Sequence, residues 1–164
     1  MDAGMNAPAP QAAADILDRI LSAPSGLVVL DSPDALALIG QFRAVARLTG
    51  QAMYLWQPDK GLGSLLEAHM HVPDSQRLGN ALRYMQQSIH FGIYFLVGLE
   101  LPLSAMDATL LRQLARMPKE HLRRVVLIDV PAALSDLLGE LAVRLNSADS
   151  SPRRLRLRDG RWLS

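Results

Sequence analysis

The stretch LVVLDSPDALALIGQFRAVARLTGQAMYLW, residues 27–56, decides the fold. Leu27-Val28-Val29-Leu30 contains no polar residue and is too short for a helix. That predicts a strand buried on both faces, ending at Asp31. Ser32-Pro33-Asp34 then opens a helix, with Ser32 as N-cap, Pro33 at the first helical position and Asp34 complementing the dipole. Leu36, Ile39, Phe42, Val45, Ala46 and Leu48 mark its buried side, and Gly50 stops it. Ala52-Met53-Tyr54-Leu55-Trp56 is a second strand, cut off by Pro58.

The same alternation continues on both sides. Ala13, Ile16, Leu17, Ile20 and Leu21 recur at helical spacing over residues 11–21, before Pro24 and Gly26. Downstream, Asp74 or Ser75 starts a helix through Leu78, Leu82, Met85 and Ile89, and Phe91–Val97 is a third strand. Ser104 caps a helix through Leu110, Leu111, Leu114 and Met117. Arg124–Asp129 is a fourth strand, and Pro131 begins a helix through Leu134, Leu137, Leu138, Leu141 and Leu145. Arg153–Leu163 alternates Arg with Leu about Asp159-Gly160, which predicts a C-terminal hairpin. Strands alternating with amphipathic helices call for an α/β three-layer sandwich with a mainly parallel sheet of about five strands. Residues 1–9 read as a flexible tail and residues 10–164 as one domain.

Composition narrows the chemistry. At 164 residues the chain is one domain long. Its 49% hydrophobic and 20% charged residues are a globular balance, not that of a disordered chain. Having no cysteine, it has no disulfide, thiolate metal site or cysteine nucleophile. No apolar run approaches the roughly 20 residues that cross a bilayer, and the N-terminus lacks the pattern of a secretory signal, so the expected location is cytoplasmic and a membrane partner is not expected. Arginine in place of lysine, with much Ala and Leu, points to a GC-rich bacterial source. The net charge of +1 hides an asymmetry: residues 144–164 hold six arginines and two aspartates (+4), and the preceding 143 residues carry −3.

Open α/β sheets bind ligands outside the carboxyl ends of their strands. There the sequence places Asp31, residues 57–64, Glu100 and Asp129. Three acids could hold magnesium or activate a water, although the plainer role for Asp31 and Asp129 is helix capping. A phosphate-binding loop after the first strand needs glycines, then Lys and Ser/Thr. The sequence reads LDSPDALAL there, so nucleotide hydrolysis at the usual place is excluded. The best anion candidate is the loop Asp59–Ser64: Gly61 and Gly63 free backbone N–H groups, Lys60 adds charge and Ser64 a hydroxyl. His69 and His71, with Glu67 nearby, need at least one more ligand to hold zinc; His90 and His121 could join only through the fold, and the plainer reading is solvent-facing or hydrogen-bonded loop histidines. Ser25, Ser64 and Ser104 sit in cap or turn contexts, and no nucleophile elbow exists. Arg153, Arg154, Arg156 and Arg158 form a basic stripe suited to an acidic partner, or one that simply guards an edge strand.

LVVLDSPDALALIGQFRAVARLTGQAMYLWQPDKGL resembles the N-terminal domain of an AAA-type ATPase family of bacteria and plastids. Tyr54, Trp56, Gly61 and Leu62 match its Tyr-x-Trp and Gly-Leu pattern. GIYFLVGLE resembles that domain's Walker-B-like strand, and RRVVLIDVPAALSDLL its next strand and proline-led helix. The likeness spans Leu27 to Leu145. It implies a degenerate, P-loop-NTPase-like (RecA-like) fold without a P-loop, with the active module to follow. No Walker motif lies within the 164 residues, so no catalytic residue is carried over. The expected role is a non-catalytic interaction or scaffold domain, acting through a protein partner or a homo-oligomer and needing no cofactor. Nucleic acid is not an expected partner. The alternative is a regulatory sensor taking a nucleotide or cyclic dinucleotide at the Lys60 loop or the C-terminal arginines.

Overall fold

The computed structural model describes residues 9–116 and 123–147. Five α-helices, α1 (Ala9–Ser22), α2 (Ala35–Thr49), α3 (Leu78–Gln87), α4 (Ala105–Ala115) and α5 (Ala132–Leu138), accompany strands β1 (Leu27–Asp31), β2 (Met53–Gln57), β3 (Gly61–Ser64), β4 (Gly92–Val97), β5 (Arg123–Ile128) and β6 (Val143–Asn146). They form one six-stranded sheet in the order β3-β2-β4-β5-β1-β6. Every pairing is parallel except β2 with β3. The architecture is an α/β three-layer sandwich of RecA-like form.

Period-two alternation in the central strands builds two cores. Leu27, Val29, Tyr94, Leu96, Val125 and Leu127 face α3, α4 and α5. Val28, Leu30, Ile93, Phe95, Val126 and Ile128 face α1 and α2. All twelve are at most 2% exposed, as parallel strands covered on both sides should be. Phe42 of α2 stacks on Phe95 at 4.5 Å between centroids, and Tyr54 stacks on Tyr94 at 4.9 Å on the opposite face.

Several boundaries differ from the sequence reading. Asp34, not Ser32, is the N-cap of α2: its carboxylate accepts from the Ala37 N–H at 3.1 Å, and Pro33 stays outside the helix. Leu36 and Leu48, expected on the buried side, are 61% and 78% exposed. Asp74 takes a φ of 60° and Ser75 is buried in the connection, so α3 starts only at Leu78. The last helix stops at Leu138, where Gly139 takes a φ of 56°, and Leu145 belongs to strand β6 instead. Val143 and Leu145 turn inward and Arg144 and Asn146 outward, a strand pattern that the leucine spacing of α5 had masked. The C-terminal hairpin with Arg153, Arg154, Arg156 and Arg158 lies outside the described residues, as do residues 1–8 of the expected tail.

Two adjacent arginines join the layers. Arg123 and Arg124 open β5 with side chains on opposite faces, both buried. The Arg123 guanidinium donates to the carbonyls of Met85, Gln86 (3.0 Å) and Ser88 (2.8 Å) at the end of α3. Arg124 donates to Ile20 (3.3 Å) and Leu21 (3.1 Å) at the end of α1. Each cation meets carbonyls at a helix C-terminus, where intrahelical donors run out.

Candidate functional site

In an open α/β sheet the ligand crevice forms where helices leaving adjacent strands pass to opposite faces. Here β1 sends α2 to one face and its neighbour β5 sends α5 to the other, so the crevice lies between residues 31–34 and 129–131. One side-chain hydrogen bond spans it. Asp129 takes a φ of 55°, a left-handed backbone that Asp tolerates better than most residues. Its N–H donates to the Leu30 carbonyl at 3.1 Å, and its Oδ1 accepts the Ser32 N–H at 2.9 Å. A carboxylate thus holds the backbone donor that an incoming phosphate would need.

That bond corrects the capping role expected of Asp129, because α5 is entered through Pro131 without a side-chain cap. Nor is Asp31 the cap of α2, a place Asp34 fills. Asp31, Glu100 and Asp129 are all exposed at the carboxyl edge. Among the described residues no group of three or more His, Asp or Glu side chains is placed to hold a metal ion. Proline punctuates the same edge, with Pro33, Pro58, Pro102 and Pro131 following β1, β2, β4 and β5 and all exposed. Each removes an N–H from a rim where backbone donors would bind anions.

The remaining candidates gather elsewhere. Residues 59–64 form no anion-cradling loop. A turn closed by the Lys60 N–H on the Gln57 carbonyl (3.1 Å) leads through Gly61, at φ 77°, into edge strand β3. Gly61 is needed here twice, for its positive φ and because a Cβ would lie 2.7 Å from Ser75 Oγ. Ser75 ties this corner together: its Oγ accepts from the Leu62 N–H (2.8 Å) and donates to the Val72 carbonyl (2.6 Å), while its carbonyl accepts the Trp56 indole N–H (2.8 Å). Trp56 is accordingly buried, and Tyr54 packs against the same core. Ser64 Oγ accepts from the N–H groups of Leu66 and Glu67, both at 3.0 Å, which is the turn role expected of it.

Lys60, Gly61, Gly63 and Ser64 nevertheless share one cleft of about 390 Å³ beside the hairpin. Leu55, Leu65 and Ala68 supply apolar wall, and Arg43, Arg47 and His71 join from α2 and the segment after β3. His71 pairs across Gly63 as an isolated antiparallel bridge, and its ring would meet a Gly63 Cβ at 2.9 Å. Sequence reasoning missed the two α2 arginines. Their spacing of four puts them on one helix face, but only the tertiary fold turns that face toward the hairpin. Asp31 and Glu100 do not line this cleft.

A second depression lies at the carboxyl ends of β2 and β4. Trp56, Pro58, Leu99, Pro102 and Leu103 line a groove of about 190 Å³. Leu78 and Asp107 continue it into a neighbour of about 430 Å³ bordered by Met106, Arg77 and Arg83. Met106 is 53% exposed there, and Leu101 is exposed nearby.

Residues 13–146 match the family described as SpoVK-like AAA ATPase, N-terminal domain. The chain belongs to that family. No curated protein and no solved structure matches it. The matched span runs from α1 to the last residue of β6, so the SpoVK-like N-terminal domain includes every strand described above. Among the described residues of this domain no helix is long and apolar enough to cross a membrane.

Proposed function

We propose that this SpoVK-like N-terminal domain is a P-loop-less, non-catalytic interaction domain that works through protein partners or self-association. The observation that carries the reading is the Asp129–Ser32 bond at the switch point. In a nucleotide hydrolase that position presents free backbone N–H groups to phosphate. Here the donor is already taken by a carboxylate, the neighbouring loops carry prolines, and Asp31, Asp34 and Glu100 add charge that repels a triphosphate. A rim poor in donors and stiffened by proline suits docking against another protein surface. The groove with Pro102 and Leu103, the neighbouring Met106, and Leu101 exposed just before Pro102 offer the apolar contact such docking uses.

Two measurements test this. The purified chain incubated with ATP and magnesium should release no phosphate above buffer, and turnover that follows the chain through purification would overturn the non-catalytic reading. Light scattering across a dilution series, with affinity capture from the source cell, should show a dimer or a stoichiometric partner. L101E/M106E should weaken that association at unchanged melting temperature. Failure of these charges to alter association would remove the groove from the interface.

A further inference from the structure

We propose that the cleft between α2 and the β2–β3 hairpin is a binding site for the diphosphate group of a small phosphorylated molecule. This goes beyond the interaction role and does not depend on it. Arg43 and Arg47 reach the cleft from α2, Lys60 from the hairpin turn and His71 from beyond β3. No carboxylate lines it; Asp59 and Glu67 are close in sequence but are not part of its wall.

Three permanent cations sharing one concave surface repel one another, and an anion relieves that repulsion. Their donors are largely unused within the described residues. Arg43 gives one side-chain hydrogen bond, from Nη1 to the Leu65 carbonyl at 3.3 Å, and among the described residues no side-chain hydrogen bond or ion pair of Arg47 or Lys60 is found. Gly61 and Gly63 line the cleft with backbone, and Leu55 and Gln57 stand opposite Gly63 and Gly61 in register. The volume of about 390 Å³ exceeds what one phosphate needs and lies within the range of small-molecule sites. Two guanidinium forks and an ammonium carry three positive charges, which two linked phosphates match better than a single one. The apolar wall of Leu55, Leu65 and Ala68 holds no Phe, Tyr or Trp, and the imidazole of His71 is the one ring in the lining, so the phosphates supply most of the affinity.

The test is calorimetric titration of the whole chain, at constant ionic strength, with inorganic pyrophosphate, ADP, adenosine and sulfate. Pyrophosphate and ADP should bind with similar affinity, adenosine should not bind, and sulfate should bind at least about tenfold more weakly. R47E/K60E alters two exposed side chains outside both cores, so its melting temperature should stay unchanged while pyrophosphate affinity falls at least about tenfold. Three results would each overturn the proposal: no heat from pyrophosphate at millimolar concentration, binding undiminished in R47E/K60E, or adenosine binding as tightly as ADP.

Discussion

The Asp129 carboxylate accepts the Ser32 backbone N–H at 2.9 Å and so bridges the carboxyl ends of the two strands that flank the switch point. Both residues are accessible to solvent, which limits the worth of the bond to about 1 kcal/mol. The left-handed backbone at Asp129 adds to what a replacement must tolerate. D129A should therefore lose about 1–2 kcal/mol in urea denaturation. D129G, free of the backbone penalty, should lose only the hydrogen-bond share. Equal losses in the two variants would show that the φ of 55° carries no cost.

Phe42 is fully buried and stacked on Phe95, so it pins α2 to the middle of the sheet. F42A should cost about 3–5 kcal/mol, and F42L clearly less. Chemical denaturation measures both. A small loss for F42A would mean that α2 can collapse into the space.

The two buried arginines should be the least replaceable charged residues among those described. R123A or R124A takes the guanidinium donors away from buried helix-end carbonyls, at about 2–4 kcal/mol. Lysine cannot reproduce the fork, so R123K and R124K should recover little of the loss. Melting curves of the four variants check this. Full recovery by lysine would reduce the role of each guanidinium to its charge alone.

Burial raises the phenol of Tyr54, and that of Tyr94, above the ordinary value of 10.0. Above pH 10 the unfolded chain has given up protons that the folded chain retains, so stability falls as pH rises through that window. Burial lowers the guanidinium groups of Arg123 and Arg124 from their ordinary value, which acts in the opposite sense but only at a more alkaline pH. Urea midpoints should decline from about pH 10 upward. Y94F should decline less steeply, and an unchanged slope would place the proton release elsewhere.

Much of this was legible before any coordinates. Four parallel strands, their intervening helices and the missing glycine loop follow from apolar runs and cap residues that act locally. Strand β6 was hidden because Leu134, Leu138, Leu141 and Leu145 keep helical spacing across Gly139, whose φ of 56° ends the helix. The Gly-Leu-Gly-Ser of strand β3 has little strand preference and so reads as a loop, although Pro58-Asp59 followed by Gly61 is a turn signal that implies a return strand. The candidate site was half visible. Lys60, Gly61, Gly63 and Ser64 form a local motif, but Arg43 and Arg47 join them only because α2 crosses over β2 and β3, a long-range consequence of strand order.

The Arg123–Arg124 pair also acts as a gauge for the alignment of β5. Side chains alternate faces along a strand, so a slip of one residue would carry each arginine to the wrong layer. Because the two are neighbours, one arginine would land in the place its partner vacated, but the other guanidinium would lose its carbonyls and one helix end would be left without its cation. The apolar residues that follow, Val125-Val126-Leu127-Ile128, are nearly interchangeable between the two cores and could not by themselves forbid the slip. In a sheet whose central strands are uniformly aliphatic, one charged dipeptide distinguishes the native alignment from its nearest competitor.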